Sequence, residues 1–364
     1  MSSRRAVPVV VSPPVRGTNS RRFLNQVDPS LPDPPAGACL TDNKLRRIWT
    51  LRRHYALQVA AGVRQGLSPI DLARTQFPFS LPVAPRPPGV HVELTNRCNL
   101  SCTYCTSPQA PRPRGLMNAE TFESLIGRLR EARIRRVYVV GLGEPMLHPR
   151  FDDFVPELAA ATRFVSVTSN LQAATEENLA VLVDSGVGML NVSVDGFDAT
   201  SYEESRVGGD FEVVRDNLTR LKLLRDRSNS DLLINVRVML RPSQADREDE
   251  ILEAWSSFGD EVSRQFIVNI SGSDDDVYAV DVAPSVYPRC SIPFKQLEVH
   301  WTGDVPLCTY VHHQADRYED FVLGNVADRS IDELWNSPLL HTYRQGHRKR
   351  DSSLIPLCSG CGGC

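Results

Sequence analysis

The sequence predicts an α/β fold built around a parallel sheet, followed by a separate cysteine-rich region. Short apolar segments alternate with longer segments whose apolar residues recur at helical spacing. This alternation favours parallel strands joined by helical crossovers. Glycines and small polar residues follow several of the apolar segments, and ligands of such sheets bind at the carboxyl ends of the strands.

The alternation begins at Val90. Six strands are predicted, at residues 90–94, 136–141, 164–169, 190–194, 233–240 and 265–270. Helices are predicted between them, near residues 119–131, 151–161, 175–185, 211–225 and 245–258.

The residues before the first strand form a different region. Residues 1–38 are rich in Pro, Ser and Arg without periodicity, which predicts disorder. Residues 42–77 show near-helical spacing, and the Pro-rich residues 81–89 predict a linker. The predicted units are a disordered arm with a helical extension, the sheet domain and the cysteine-rich domain, at residues 1–88, 89–272 and 273–364.

Composition excludes some classes of function. The chain has 364 residues and a formal net charge of −3, so it has no basic surplus of the kind that binds nucleic acid. Apolar runs are far shorter than the roughly 18 residues of a membrane span, and the N-terminus lacks a signal-peptide core. Nine cysteines, most of them in clusters, favour metal binding in a reducing compartment, so we expect a cytoplasmic protein without membrane or nucleic-acid partners.

Cys98, Cys102 and Cys105 are spaced C-x3-C-x2-C directly after the first predicted strand. Three thiolates on one loop can hold three irons of a cubane 4Fe–4S cluster, whereas an ordinary electron-transfer cluster takes four cysteines. The remaining iron is open to a small chelating ligand. A structural zinc knuckle is the alternative, but its cysteines are usually spaced in C-x2-C pairs, and this loop contains no histidine.

This cysteine loop resembles the signature of the radical S-adenosylmethionine (SAM) superfamily. The resemblance implies a partial (β/α)6 barrel, a 4Fe–4S cluster that binds SAM, and a flavodoxin or ferredoxin-type electron donor. It also implies that reductive cleavage of SAM gives a 5′-deoxyadenosyl radical, which removes hydrogen from an unactivated carbon.

Motifs at later strand ends agree with that resemblance. Gly141, Gly143 and Glu144 resemble the superfamily's Gly-Gly-Glu motif, with Leu142 inserted, and this loop is implied to bind the methionine amino group of SAM. Loop capping is the alternative role for the short polar residues at strand ends. The further cofactor contacts that the resemblance implies are Tyr104, Ser169, Asn170, Ser193 and Asp195. Arg206, Arg237 and Arg241 are candidates for contacts with the cofactor carboxylate or the substrate, and only Arg237, within the fifth apolar strand, is assigned to the site.

The C-terminal region carries a second cysteine pattern. Cys290, Gly303 and Cys308 are spaced C-x12-G-x4-C, and residues 297–301 predict one strand of a hairpin that turns at residues 302–304. A strand at 323–326 and a helix at 330–337 are predicted downstream. The pattern resembles SPASM and twitch domains, and the number of cysteines favours the shorter twitch form.

That resemblance implies one auxiliary 4Fe–4S cluster held by Cys290, Cys308, Cys358 and Cys361. A zinc ribbon is the alternative for these four cysteines. Cys364 is left over. It can replace Cys361, hold another cluster or act as a thiol hydrogen donor.

The combination predicts a radical SAM oxidoreductase that acts on a small polar molecule such as a carbohydrate, aminocyclitol or aminoglycoside. Oxidation of an alcohol carbon is the favoured outcome. Epimerisation with Cys364 as hydrogen donor is one alternative, and peptide modification is another, although residues 42–77 lack the strand pattern of a peptide-recognition module. A non-catalytic zinc or iron–sulfur protein is the last alternative.

Overall fold

A computed structural model describes the chain at residues 15–16, 67–110, 112–266, 290–309, 311 and 315–358. Most of the predicted N-terminal arm and extension, the end of the predicted sixth strand, and Cys361 and Cys364 lie outside these residues. No helix within the described ranges is long and apolar enough to cross a membrane.

The predicted parallel sheet is present and has seven parallel strands. They are β2 (Gly89–Val92), β3 (Arg136–Val139), β4 (Phe164–Ser169), β5 (Met189–Asp195), β6 (Leu233–Leu240), β7 (Glu261–Phe266) and β8 (Gln296–Val299). Their order is β7-β6-β5-β4-β3-β2-β8, and β1 (Val15–Arg16) pairs antiparallel with β7 at the edge. The first six strands form the predicted partial barrel, and β8 extends it beyond β2.

Helices connect the strands as the alternation predicts. In the first part of the chain they are α1 (Pro69–Gln76), α2 (Ala119–Glu131), α3 (Phe151–Ala161), α4 (Glu176–Asp184), α5 (Ala199–Ser205), α6 (Phe211–Ser228) and α7 (Glu248–Trp255). Side-chain caps define several starts. The Asn118 side chain accepts a hydrogen bond from the Thr121 backbone nitrogen, and Thr175 forms a capping box with Asn178.

Within the described residues, the C-terminal domain contains a second, two-stranded sheet and three α-helices. The elements after β8 are β9 (Asp304–Pro306), β10 (Val322–Asn325), α9 (Ile331–Trp335) and α10 (Pro338–Lys349), and α8 (Ile292–Lys295) precedes β8. The predicted strand and helix at 323–326 and 330–337 correspond to β10 and α9. Trp335 is fully buried and donates its indole N–H to the Ala84 carbonyl at 2.7 Å, which joins this domain to the linker before the barrel.

Two predicted elements differ from the structure. The sixth strand begins at Glu261, four residues before the predicted start at 265. The predicted hairpin forms its turn, since Gly303 donates its backbone N–H to His300 at 2.8 Å. However, β8 pairs with β2 and β9 pairs with β10, so the two sides of the turn belong to different sheets. Pairing of β8 with the exposed edge of β2 satisfies backbone groups of both strands.

The two faces of the parallel sheet differ in character. Val90, Val92 and Val139 are fully buried in the core that also contains the helices. The alternate residues point to the other side, into the barrel. This inward face is polar: the Asn191 amide donates to the Ser166 hydroxyl at 2.8 Å, and the Asn235 amide donates to Asn191 at 2.9 Å.

Candidate functional site

The cysteine loop follows β2 at the carboxyl edge of the sheet. Thr95 anchors the loop by donating its hydroxyl to the Gly115 carbonyl at 2.6 Å. Cys98 is exposed, while Cys102 and Cys105 are partly buried. Backbone N–H groups face two of the sulfurs: Leu100 donates to Cys98 Sγ at 3.5 Å, and Ser107 donates to Cys105 Sγ at 3.4 Å. Such N–H groups stabilise thiolates that ligate a metal.

Burial makes the thiols of Cys98 and Cys102 weaker acids in the absence of a cation. It raises the pKa of Cys98, and it raises the pKa of Cys102 to about 12. A metal held by these cysteines would require thiolates, and its positive charge would favour their deprotonation.

The glycine-rich loop after β3 packs directly on the cysteine loop. A Cβ on Gly143 would lie 2.4 Å from the Thr95 carbonyl oxygen and 2.5 Å from the Arg97 carbonyl oxygen. The Glu144 backbone N–H donates to the same Arg97 oxygen at 2.8 Å. Only glycine therefore permits this approach of the two loops.

Glu144 is buried and lies where two strand ends meet. Its Oε1 accepts hydrogen bonds from the Ser169 hydroxyl at 2.8 Å and the Met146 backbone at 3.2 Å, and its Oε2 accepts one from the Asn170 backbone at 2.7 Å. Burial raises its pKa to about 7, although these hydrogen bonds act in the opposite direction. A cationic ligand group would stabilise the ionised form.

Asn170 links Glu144 to the cysteine loop. Its side-chain amide donates to Asn99 Oδ1 at 3.0 Å and lies 3.8 Å from Cys98 Sγ. The structure thus brings together Cys98, Glu144, Ser169 and Asn170, four of the residues for which the sequence predicts a metal or cofactor role.

A second cluster surrounds Asp195 at the end of β5. The Tyr104 hydroxyl donates to Asp195 Oδ1 at 3.0 Å, and Arg206 Nε donates to the same oxygen at 2.7 Å. Asp195 and Arg206 are both buried. Sequence reasoning left Arg206 unassigned, because a partner eleven residues away on another element has no sequence signal. Arg241 lies over the Tyr104 ring, with its guanidinium carbon 5.7 Å from the ring centre.

Ser193 and Arg237 lie deeper in the barrel. They are side by side in the β5–β6 register, so both face inward. The Arg237 guanidinium donates to Asn191 Oδ1 at 3.2 Å, and burial lowers its pKa. Within the described ranges, no carboxylate forms an ion pair with Arg237.

Sequence reasoning missed two buried charged groups on the strands that flank this site. Arg112 forms a bidentate ion pair with Glu93, with both N–O distances 2.9 Å, and Glu93 also accepts the Leu142 backbone N–H at 3.1 Å. On β8, Glu298 lies beside His91. Charged residues at alternate positions of apolar strands were the available signal.

Glu298 forms a chain with two further groups. His300 Nε2 lies 3.3 Å from Glu298 Oε1, and His300 Nδ1 lies 2.8 Å from the Tyr318 hydroxyl. Thr309, directly after Cys308, donates its hydroxyl to Glu298 Oε2 at 2.5 Å. Burial acts to raise the pKa of Glu298, but these partners outweigh it and lower the pKa to about 2.

An imidazole on the last helix, that of His347, contacts two of the auxiliary cysteines. Cys290 is buried, and its backbone N–H donates to His347 Nδ1 at 3.2 Å. His347 Nε2 lies 3.7 Å from Cys358 Sγ. Cys308 is partly buried and packs against the core. His347 was not identified from the sequence.

Comparisons with known proteins agree with both cysteine patterns. Residues 92–254 match the radical SAM superfamily, and residues 290–362 match the SPASM iron–sulfur cluster-binding domain. A cofactor-modifying protein for tungsten-containing aldehyde ferredoxin oxidoreductase from Pyrococcus furiosus is 22% identical, covering 75% of this chain and 86% of that protein. PqqA peptide cyclase from Xanthomonas axonopodis pv. citri is 26% identical, covering 78% of this chain and 84% of that protein.

Solved structures share the fold. Streptococcus suis SuiB bound to S-adenosylmethionine has a TM-score of 0.58 at 13% identity, covering 83% of this chain and 78% of that chain. The anSMEcpe protein with bound AdoMet has a TM-score of 0.55 at 15% identity, covering 75% of this chain and 88% of that chain.

The residues of this site fit the iron–sulfur cluster and the SAM molecule that proteins of this family bind. One exposed and two partly buried thiols on one loop, the close approach permitted by Gly143 and the buried carboxylate of Glu144 suit a 4Fe–4S cluster that binds SAM. Cys290, Cys308 and Cys358 lie in the region that matches the SPASM iron–sulfur cluster-binding domain and would supply ligands there, although within the described residues no three His, Cys, Asp or Glu side chains converge on one ion. The chain belongs to the radical SAM superfamily and carries a C-terminal SPASM domain.

Proposed function

We propose that this radical SAM enzyme oxidises a hydroxyl-bearing carbon of a small polar molecule, such as a carbohydrate, aminocyclitol or aminoglycoside. The polar inward face of the barrel carries this proposal. His91 on β2, Asn191 on β5 and Arg237 on β6 face the interior, and Glu298 on β8 is level with His91. Burial at this face lowers the pKa of His91 to about 4.

A polar lining selects a polar substrate. Buried hydrogen-bonding groups lose free energy when an apolar ligand leaves them without partners, so the lining favours molecules with several hydroxyl or amino groups. An ionised Glu298 and the Arg237 cation also suit a ligand that carries amino and oxygen substituents.

Three neighbouring side chains also provide a route for a proton. The Tyr318 hydroxyl lies 2.8 Å from His300 Nδ1, and His300 Nε2, which forms no hydrogen bond among the described residues, lies 3.3 Å from Glu298 Oε1. These groups can accept a hydroxyl proton from the substrate and hold it at the imidazole. When bound, SAM and its cluster supply the radical that removes the carbon-bound hydrogen. Oxidation also needs an electron acceptor, and a cluster held by the auxiliary cysteines would provide one. Glu298 lies near one of these cysteines, because it accepts a hydrogen bond from Thr309, the residue after Cys308.

The cofactor roles follow from the site. We propose that Glu144 receives the SAM ammonium group, and that Gly141, Gly143, Ser169 and Asn170 form the wall around it. Tyr104, Ser193, Asp195 and Arg237 are proposed to contact the rest of the cofactor. A flavodoxin or ferredoxin-type donor and a cytoplasmic location suit a cluster that works under reducing conditions.

Peptide modification is the second candidate. PqqA peptide cyclase and the subtilosin biosynthesis protein AlbA of Bacillus subtilis each match this chain over 77–78% of its length. A peptide whose side chain enters the same polar barrel would use the same residues.

Anaerobic reconstitution tests the proposal. The protein should bind about eight irons and release 5′-deoxyadenosine when reduced with SAM. In a panel of aminocyclitols and aminoglycosides, one compound should then lose two hydrogens. The amount of this product should rise together with the amount of 5′-deoxyadenosine released. Coupling only with peptides would replace the proposal by the second candidate.

The same assay in heavy water separates oxidation from epimerisation. A product that has the elemental composition of the substrate but carries one deuterium would indicate epimerisation. If Cys364→Ala no longer incorporates deuterium, Cys364 is the hydrogen donor. A zinc-containing, colourless protein that releases no deoxyadenosine would contradict the radical reaction altogether.

A further inference from the structure

His347 lies between two of the auxiliary cysteines. It is fully buried on α10, and it contacts the backbone of Cys290 with one ring nitrogen and the sulfur of Cys358 with the other. The two cysteines are far apart in sequence, and the imidazole connects them.

The hydrogen bonds fix the tautomer of His347. A backbone N–H group can only donate, so Nδ1, 3.2 Å from the Cys290 nitrogen, must accept with its lone pair. A neutral imidazole with an unprotonated Nδ1 carries its hydrogen on Nε2. That Nε2–H is the group 3.7 Å from Cys358 Sγ, within the range of N–H to sulfur hydrogen bonds.

Neighbouring contacts hold the ring in place. Arg344, one turn earlier on α10, donates to the carbonyls of Pro293 and Trp335, both at 2.8 Å. A Cβ on Gly346 would lie 2.6 Å from Ile355 Cγ2, so the helix packs closely on the segment that leads to Cys358. The position of His347 is therefore set by the helix.

We propose that His347 is a positioning residue that donates a hydrogen bond to the Cys358 thiolate and raises the reduction potential of the auxiliary cluster. An N–H group directed at a ligating sulfur stabilises the more negative, reduced state of a cluster. The inference depends on the SPASM domain and is independent of the substrate, so failure of the proposed alcohol oxidation leaves it testable.

The test uses the full-length chain with Cys98, Cys102 and Cys105 replaced by Ala, so that only the auxiliary cluster gives a reduced EPR signal. His347→Phe removes both hydrogen bonds at similar size. His347→Gln keeps an acceptor for Cys290 and a donor for Cys358. His341→Gln is the control, because His341 is exposed on the same helix. Redox titration followed by EPR measures the midpoint potential of each reconstituted protein.

The Phe variant should keep its iron and show a roughly tenfold lower ratio of reduced to oxidised cluster at a fixed potential, equal to about 59 mV for a one-electron couple. The Gln variant should lie closer to the parent, and the His341 control should not differ from it. An unchanged potential in the Phe variant, or loss of the auxiliary iron from both His347 variants, would overturn the proposal.

A measurement on unsubstituted His347 avoids any folding defect. With ¹⁵N-histidine labelling, pulsed EPR of the reduced auxiliary cluster should show a weak nitrogen coupling that disappears in His347→Gln. A strong coupling typical of direct ligation, or none at all, would contradict the hydrogen bond.

Discussion

Glu144 Oε2 accepts a hydrogen bond from the Asn170 backbone nitrogen at 2.7 Å, which joins the ends of two adjacent barrel strands. Asn170 in turn approaches Cys98 Sγ. The carboxylate proposed to bind the SAM ammonium and the loop that holds its cluster are therefore positioned by one residue between them.

Replacement of Glu144 by Gln should weaken SAM binding. A hydrogen bond to a charged group contributes about 1.5–3 kcal/mol, so we expect roughly a tenfold to hundredfold rise in the Kd for SAM. Anaerobic equilibrium dialysis measures it, with Glu177→Gln on the exposed surface as the control. Equal affinity in the two variants would remove Glu144 from the SAM site.

SAM affinity should also depend on pH through Glu144. Burial raises the pKa of this carboxyl to about 7 in the unliganded protein, and an ammonium partner lowers it. Glu144 must therefore lose its proton on binding below pH 7, so affinity should fall as the pH drops from 7 toward 5. The slope should be absent in Glu144→Gln, and a persistent slope would assign it to another group.

Gly143→Ala should prevent correct assembly of the two loops. The added Cβ would meet the backbone oxygens of Thr95 and Arg97, which cannot move independently of the cysteine loop. We expect loss of about half of the reconstituted iron. In contrast, a Cβ on Gly127 in α2 has no atom within 4 Å, so Gly127→Ala should retain all iron and raise helix stability by about 0.5–1 kcal/mol.

Arg206→Met should destabilise the fold strongly, because it leaves the buried carboxylate of Asp195 without its cation. Removal of one member of a buried pair costs about 3–5 kcal/mol. Arg220→Met breaks an exposed pair with Glu176 and should cost under about 1 kcal/mol. Urea unfolding of the cluster-free proteins measures the free energy of unfolding of each variant. A loss of under about 1 kcal/mol in both variants would show that the Asp195 pair is not important for stability.

Cys361→Ala should remove the auxiliary cluster, lowering the iron content from about eight to about four, while Cys364→Ala should keep it. Iron analysis and the EPR signal of the first cluster distinguish the two sites. The reverse result would make Cys364 the fourth ligand, in place of Cys361.

The parts of the fold that the sequence predicted have local signals. Strand and helix periodicity located the barrel, and the spacing of Cys98, Cys102 and Cys105 depends on neighbours in one loop. The start of β7 was predicted incorrectly and the pairing of β8 with β2 was not predicted, because periodicity marks a strand without stating which edge it joins.

The sequence by itself determined the family and the kind of cofactor that this protein binds, since three thiols spaced three and four residues apart after a strand can hold one cluster. Only the tertiary structure decided which residues that are distant in sequence contact one another. Arg206 pairs with Asp195, Glu298 lies beside His91 through the β2–β8 register, and His347 faces Cys358. These contacts arise from strand order and helix packing, which depend on the free energy of the whole core and leave no mark in local spacing.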